Sequence, residues 1–293
     1  MNKQDLEDKG NQGSISYHKI VRLVTTQKCY NKKHLEGVKC DYAYINSLFK
    51  RFVHKNIDKN HFDFIVIPGG FLNFEFPFQL YDEHIDIDKP TRKQIQLLQE
   101  QAQLTIEDFL YDKLANDIFD GLKNVADYIT IGIDGASRRQ KIELIAVYDL
   151  RIKKIIHWTG KFYPVKTQEE YLIKYPYLGS HFIELNGYKV LILGCHDLNV
   201  FSNRGQSKAI GWRKEAAEIF KSKCQKYKPS IVLQHPHCTD SSKIWRSSWL
   251  ELERKLSSVT DYVSGIYFDE EDHRSCLEDV LAKTKKGDVL SFK

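Results

Sequence analysis

The chain has few of the features that mark several large classes of protein. Its six cysteines include no Cys-x-x-Cys pair, and no apolar run is long enough to span a bilayer. The cysteines also form no compact framework, so we interpret them as free thiols rather than disulfides. The first residues lack the apolar core of a signal peptide. Together these absences predict a cytoplasmic protein with no membrane contact.

Neither sign of charge dominates the chain. The 44 basic and 39 acidic residues give a formal net charge of +5. Two short basic clusters, at 151–154 and 283–286, contain none of the aromatic residues that stack on bases. We therefore interpret both clusters as solvated surface and predict no nucleic-acid partner. A phosphate-binding loop is also absent, because Gly69-Gly70 lacks the surrounding glycines and lysine that such a loop needs.

The composition is that of a globular protein with a substantial core. The chain has 293 residues, of which 42% are hydrophobic and 28% charged. Residues 1–16 are polar and aperiodic, which predicts a disordered N-terminus. We assign residues 17–270 to one domain and residues 271–293 to a C-terminal arm.

Strand-like and helical patterns alternate from about residue 18 onward. Apolar residues at 45, 48, 49, 52 and 53 have the spacing of an amphipathic helix, and a second helical region covers Leu110 to Leu122. The runs "IELIAVYD" and "KKIIHWTG" indicate an antiparallel hairpin within an otherwise alternating order. This order predicts a single α/β domain.

Three strand ends carry residues that suggest chemistry. They are Pro68-Gly69-Gly70, Lys161 and Cys195, and sites in α/β sheets lie beyond such strand ends. A cysteine attacks an acyl carbon as a thiolate, so it needs a positive neighbour, which Lys161 would supply. The backbone N–H of His196 would serve as a donor to the oxyanion. The simpler interpretation of Cys195 is a small buried hydrophobic residue.

Several of these segments resemble motifs of the nitrilase superfamily of carbon–nitrogen hydrolases. "KKIIHWTGKFYP" is similar to the strand that carries the catalytic lysine, and "YKVLILGCHDLNVF" is similar to the nucleophile motif. The resemblance covers residues 20–268 and implies a four-layer α-β-β-α sandwich with a Glu-Lys-Cys triad. It places Cys195 as the nucleophile and Lys161 as its cationic partner. It also implies a dimer or a higher assembly, and we predict a homodimer. A hydrolase of this type requires no metal or organic cofactor.

The sequence departs from the family at the position of the glutamate base. The family places glutamate after the proline that ends the second strand, whereas this chain has Gly69. A substitute base would have to come from elsewhere, and Glu75 and Asp134 are the candidates that the sequence offers. Glu169 or Glu170 matches the region where the family often carries an accessory glutamate.

The segment "LQHPHCTD" offers a possible metal site. His235, His237 and Cys238 follow a strand, but no second cluster at ligand spacing completes a set of four. We therefore predict no metal, and we expect the two histidines to line the mouth of the pocket.

Two functions remain open on this sequence. The missing base favours a degenerate member of the fold that acts as a binding or regulatory module with a protein partner, and in that case Gly69→Glu would create or raise amidase activity. The alternative is an active amidase-like hydrolase that cleaves a non-peptide C–N bond of a small amide or nitrile through a Cys195 thioester. In that case a substitute carboxylate moves the protons.

Overall fold

The computed structural model describes residues 20–26, 42–203, 209–239, 241–268 and 274–293. The N-terminal segment 1–16, Cys29 and Cys40 lie outside these residues. The described strands are β1 (Ile20–Thr25), β2 (Phe62–Val66), β3 (Leu72–Glu75), β4 (Ala126–Ala136), β5 (Lys141–Asp149), β6 (Lys154–Gly160), β7 (Leu172–Ile173), β8 (Phe182–Leu185), β9 (Tyr188–Gly194), β10 (Ile231–His235), β11 (Asp261–Ser264), β12 (Ile266–Tyr267), β13 (Lys285–Lys286) and β14 (Val289–Phe292). The described helices are α1 (Tyr42–Asn56), α2 (Phe78–Tyr81), α3 (Arg92–Asp108), α4 (Asn116–Val125), α5 (Trp212–Tyr227), α6 (Ser242–Lys255) and α7 (Leu277–Lys283).

These strands form two sheets. Within the described residues the first sheet has nine strands, ordered β12-β1-β2-β4-β5-β6, with β14 beside β1, β3 beside β4 and β7 beside β5. The second has five, ordered β13-β11-β10-β9-β8. β1, β2 and β4 run parallel, and β5 and β6 form the expected antiparallel hairpin. β9, β10 and β11 are likewise parallel to one another.

The two sheets pack face to face with helices outside them. Alternate residues of β9 show the arrangement, because Val190 and Ile192 join a core shared with the first sheet, whereas Leu191 and Leu193 join a core shared with α5 and α6. A third core lies between the first sheet and helices α1, α3 and α4. Because β9 is buried on both faces, its sequence is a continuous apolar run, "VLIL". The predicted α-β-β-α sandwich is therefore confirmed.

The helical region predicted around Leu110 to Leu122 is interrupted. A π-helical turn at Phe109–Lys113 follows α3, and Leu114 has extended backbone before α4 begins at Asn116. The side chain of Asn46 donates to the carbonyl of Lys113 and accepts from the N–H of Ala115. These two hydrogen bonds replace backbone hydrogen bonds that a continuous helix would have made. The four-residue repeat of leucines and isoleucines therefore spans two helical elements rather than one.

The C-terminal residues, predicted as an arm, contribute to both sheets. β13 pairs with β11 in the second sheet, and β14 pairs along β1 in the first. No described helix is both long enough and apolar enough to cross a membrane.

Candidate functional site

The ends of β2, β6, β9 and β10 meet at one edge of the sandwich. The N–H of Gly69, beyond β2, donates to the carbonyl of Pro236, beyond β10, over 3.1 Å. A Cβ atom added at Gly194, which ends β9, would lie 3.1 Å from the Cα atom of Lys161. The structure therefore brings together the three strand ends that the sequence singled out.

Three charged side chains lie in a row across β4, β5 and the residue after β6. Asp134 is directly opposite Glu143 in the β4–β5 register, and the N–H of Lys161 donates to the carbonyl of Glu143 over 3.0 Å. Residues opposite each other in a sheet share a face, so these side chains are neighbours. The Lys161 Nζ atom lies 2.9 Å from Glu143 Oε1 and 2.7 Å from Gln168 Oε1.

The Lys161 ammonium is completely buried. Burial by itself would lower its pKa, but the negative charges of Glu143 and Cys195 outweigh burial and hold that pKa above its ordinary value. A buried lysine next to a carboxylate and a thiolate stays protonated because each anion stabilises the cation. The lysine is therefore a fixed positive charge beside the cysteine.

A histidine from the loop after β10 enters this row. The Nε2 atom of His237 lies 2.7 Å from Asp134 Oδ2, and its Nδ1 atom lies 3.7 Å from Glu143 Oε2. Burial opposes the charge on this ring, but the two carboxylates raise the pKa of His237 well above its ordinary value. Two carboxylates that face each other in a sheet repel, and a cation between them removes that cost.

The glycine turn after β2 makes room for this histidine. A Cβ atom at Gly70 would come within 2.8 Å of the His237 ring and 3.1 Å of Asp134 Oδ2. Gly70 also has a φ of +62°, which favours glycine. The ring of His237 therefore occupies the space that a side chain at position 70 would fill.

The Cys195 sulfur lies next to the same histidine. Its Sγ atom accepts the backbone N–H of His237 over 3.4 Å, and the side chain of Gln234 holds the Cys195 carbonyl at 2.9 Å. Burial would raise the pKa of the thiol, but charge and hydrogen bonds from His196 and His237 hold that pKa well below its ordinary value. The geometry thus favours a thiolate, which is the reactive form of cysteine.

Asp197 ties the cysteine loop to the lysine loop. Its carboxylate accepts the backbone N–H groups of Phe162 and Tyr163 through Oδ1, at 3.2 and 2.9 Å, and that of Gly194 through Oδ2 at 2.8 Å. Complete burial raises the pKa of Asp197 to about 7 despite these donors. The side chain fixes the backbone on both sides of the site.

The other residues predicted from sequence lie around the site rather than in the row. Glu75 is exposed at the end of β3, and no described hydrogen bond joins it to Cys195 or Lys161. Glu169 pairs with Arg213, and Glu170 is exposed. His196 is half-buried, and its carbonyl accepts the N–H of Asn199.

Neither His235, which ends β10, nor His237 in the loop after it belongs to a metal cluster among the described residues. Nδ1 of His235 lies 2.5 Å from the Ile67 carbonyl, and burial lowers the pKa of His235 to about 4. Within the part of the chain that the structure describes, no group of three or more histidine, cysteine or acidic side chains is placed to hold a metal ion.

Sequence reasoning missed Glu143 and underestimated His237. Glu143 is one acidic residue inside the apolar strand "IELIAVYD", and a carboxylate buried in a strand needs a partner. That mismatch was a usable signal. The position of His237 had no comparable signal, because a loop brings it against Asp134 from 103 residues away.

Comparison with known proteins gives similarity of fold. No protein-family model matches the chain, and no curated protein matches it in sequence. An amidase from Nesterenkonia sp. is 10% identical with a TM-score of 0.47, over 85% of this chain and 76% of that chain. A CN-hydrolase superfamily protein from Xanthomonas campestris, with an arsenic adduct in its active site, is 12% identical with a TM-score of 0.42, over 86% and 77%.

A third solved structure is similar over a smaller part of its own length. It is a glutamine-dependent NAD+ synthetase from Acinetobacter baumannii, 13% identical with a TM-score of 0.39, over 75% of this chain and 35% of that chain. Identities this low concern the fold alone.

Proposed function

We propose that the protein is a cysteine-dependent hydrolase that cleaves the C–N bond of a small, non-peptide amide or nitrile in the cytoplasm, without a metal or organic cofactor. The observation that carries the proposal is the buried Lys161–Glu143 pair, 2.9 Å between Nζ and Oε1, next to a Cys195 thiol of lowered pKa. A buried ion pair contributes little net stability, so its position beside a reactive sulfur favours a catalytic role.

In the first half of the proposed reaction, the Cys195 thiolate attacks the carbonyl carbon of the amide. A C–S bond forms, and the carbonyl π electrons move to the oxygen. The Lys161 ammonium and the backbone N–H of His196 stabilise this oxyanion. The electrons then return, the C–N bond breaks, and the leaving nitrogen takes a proton. A thioester remains on Cys195.

In the second half, water attacks the thioester and the thiolate leaves. Glu143 takes the proton from water, which is the task that Gly69 cannot perform. The Oε2 atom of Glu143 has no hydrogen-bond partner among the described residues, so it is available as the acceptor. Glu143 on β5 thus takes the role of the glutamate base that is missing at Gly69. Glu169 and Glu170 stay predictions as accessory carboxylates, and so does the homodimer.

The first test measures the reactivity of the thiol. Iodoacetamide is expected to alkylate Cys195 faster than Cys276 at about pH 6, because the pKa of the Cys195 thiol lies well below its ordinary value. Cys276 is the internal control, since it is exposed. Peptide mapping by mass spectrometry gives both rates, and the Cys195 signal is absent from Cys195→Ala. Slow and uniform labelling of all the thiols would contradict the proposal.

The second test measures turnover. Ammonia release from acetamide and propionamide is expected to require Cys195 and to fall about 10²–10⁴-fold in Glu143→Gln, which keeps the shape but accepts no proton. Glu75→Gln is the matched variant of an exposed glutamate. A loss in Glu75→Gln comparable to that in Glu143→Gln would instead identify Glu75 as the base.

The alternative is a binding or regulatory module with a protein partner. Gly69 favours it, and so does the burial of the thiol, since Cys195 is only 5% exposed. This function predicts no ammonia release and a cellular role that tolerates Cys195→Ala. Efficient turnover that depends on Cys195 excludes it.

A further inference from the structure

His237 is placed unlike the base of the nitrilase-type site that the sequence resembles. It comes from the loop after β10 and lies over Gly70, where a side chain on the turn would collide with its ring. Its ring is between two carboxylates, and its own backbone N–H points at the Cys195 sulfur. A histidine in this position contacts both the nucleophile and the acidic row.

We propose that His237 is a second catalytic residue, which keeps Cys195 as a resting thiolate and protonates the leaving nitrogen, with Asp134 as its positioning residue. This inference rests on the proposed function. The site then combines a Lys161–Glu143 pair with a Cys195–His237–Asp134 arrangement. A catalytic triad consists of a nucleophile, a base that contacts it, and a carboxylate that orients the base.

The charges that face His237 come from every element around it. Asp134 belongs to β4, Glu143 to β5 and Cys195 to the loop after β9, while His196 in that loop acts on Cys195. Lys161 lies one step further, against the far oxygen of Glu143. Two carboxylates and the thiol thus act on the ring, which favours the imidazolium and, through it, the thiolate.

The protons balance when Glu143 and His237 act in turn. As the C–N bond breaks, the imidazolium gives its proton to the leaving nitrogen and becomes neutral. Water then gives a proton to Glu143 as it attacks the thioester. Glu143 passes this proton across the 3.7 Å between its Oε2 atom and His237 Nδ1. The cycle ends with the thiolate, the carboxylate and the imidazolium restored.

The experiment measures the rate of Cys195 alkylation by iodoacetamide against pH. For the wild type we expect little change between about pH 6 and pH 8, because the thiol is already ionised. For His237→Ala we expect the midpoint to move upward and the rate at about pH 6 to fall at least about tenfold, since one pKa unit is tenfold in thiolate. Added imidazole is expected to restore part of the lost ammonia release.

A second histidine–carboxylate pair in the same sheet provides the control. His61 lies just before β2 and its Nε2 atom is 3.1 Å from Asp127 at the start of β4, at the opposite ends of the two strands from the site. His61→Gln is expected to leave the pH profile unchanged. Asp134→Asn is expected to shift the pH profile of Cys195 alkylation in the same direction as His237→Ala. This variant tests the proposal if His237→Ala does not fold.

The two proposals fail in different ways. If the profiles of His237→Ala and Asp134→Asn coincide with the wild type while ammonia release still requires Cys195, the inference about His237 is wrong and the proposed function stands. If the wild type releases no ammonia and its thiol shows no enhanced reactivity, the proposed function is wrong.

Discussion

Two buried cations in the first sheet differ in what surrounds them. Arg22 on β1 and Lys161 after β6 are both fully buried. The Arg22 guanidinium donates to neutral oxygens only: Ser291 Oγ at 2.9 Å, Thr284 Oγ1 at 2.7 Å and the Leu281 carbonyl at 2.6 Å. No carboxylate among the described residues forms an ion pair with it. Lys161 instead faces Glu143 and the Cys195 thiol, whose negative charges raise the pKa of the lysine.

The difference separates a structural charge from a chemical one. The three closest acceptors of Arg22 belong to the C-terminal segment, and a longer bond of 3.5 Å reaches the carbonyl of Ser264 on β11. This side chain therefore holds α7 and β14 against β1. None of these acceptors titrates near neutral pH. Lys161 instead borders a carboxyl group and a thiol, and their negative charges raise the pKa of the lysine. Burial of a charge therefore indicates function only when its partners can themselves react.

The largest effect is expected from Lys161→Met, which keeps the length of the side chain and removes the charge. Loss of one oxyanion-stabilising group typically lowers kcat by about 10²–10³-fold. Ammonia release and Cys195 alkylation are the measurements. The double variant Lys161→Met/Glu143→Gln is expected to recover stability, because no unpaired carboxylate remains, but to recover no activity.

Lys174→Met serves as the control, since Lys174 pairs with Asp88 outside the site. If Lys161→Met left turnover unchanged and only lowered Tm, Lys161 would be a structural cation like Arg22, and the contrast would disappear.

The next largest effect is expected from Arg22→Met. It leaves several buried oxygens without their donor, at a cost of about 1–3 kcal/mol for each buried group. We expect a loss of roughly 2–4 kcal/mol in the free energy of unfolding, measured by urea denaturation. The alkylation profile of Cys195 should be unchanged in the folded fraction. Arg51→Met is matched, because Arg51 also bonds a C-terminal carbonyl, that of Lys293 at 3.0 Å, but is exposed.

The sequence predicts the frame of this site better than its chemistry. Apolar runs that end at Lys161 and Cys195 are local signals, and the strand order that joins them follows from alternation of strands and helices. Alternation thus predicts a single α/β domain, and the four-layer sandwich is what the resemblance to the nitrilase superfamily implies. The juxtaposition of the two residues is predictable once the carboxyl ends of strands are expected to share an edge.

The proton-transfer groups depend on contacts that sequence patterns do not encode. Glu143 reaches Lys161 through the register of the β5–β6 hairpin, and a shift of one residue would turn its side chain to the other face. His237 reaches Asp134 because Gly70 leaves space for its ring beyond β2, while Gly69 lets the backbone of His235 and Pro236 approach closely. Those glycines suggested a missing base from sequence, and only the packing shows what fills their place.

The smallest of these effects is expected from Gly69→Ala. This substitution tests whether the reactivity of Cys195 depends on the packing of the glycine turn beside His237. A Cβ atom at Gly69 would lie 2.4 Å from the His235 carbonyl oxygen, so the backbone before His237 has to move. Overpacking of this kind costs about 1–3 kcal/mol. We expect a lower Tm and slower alkylation of Cys195 at about pH 6, because His237 shifts. Gly179→Ala is the control, since a Cβ there meets no atom within 4 Å.

Gly69→Glu carries the same Cβ and should gain no activity. Increased ammonia release from that variant would show that the turn accepts a glutamate and would favour the degenerate function.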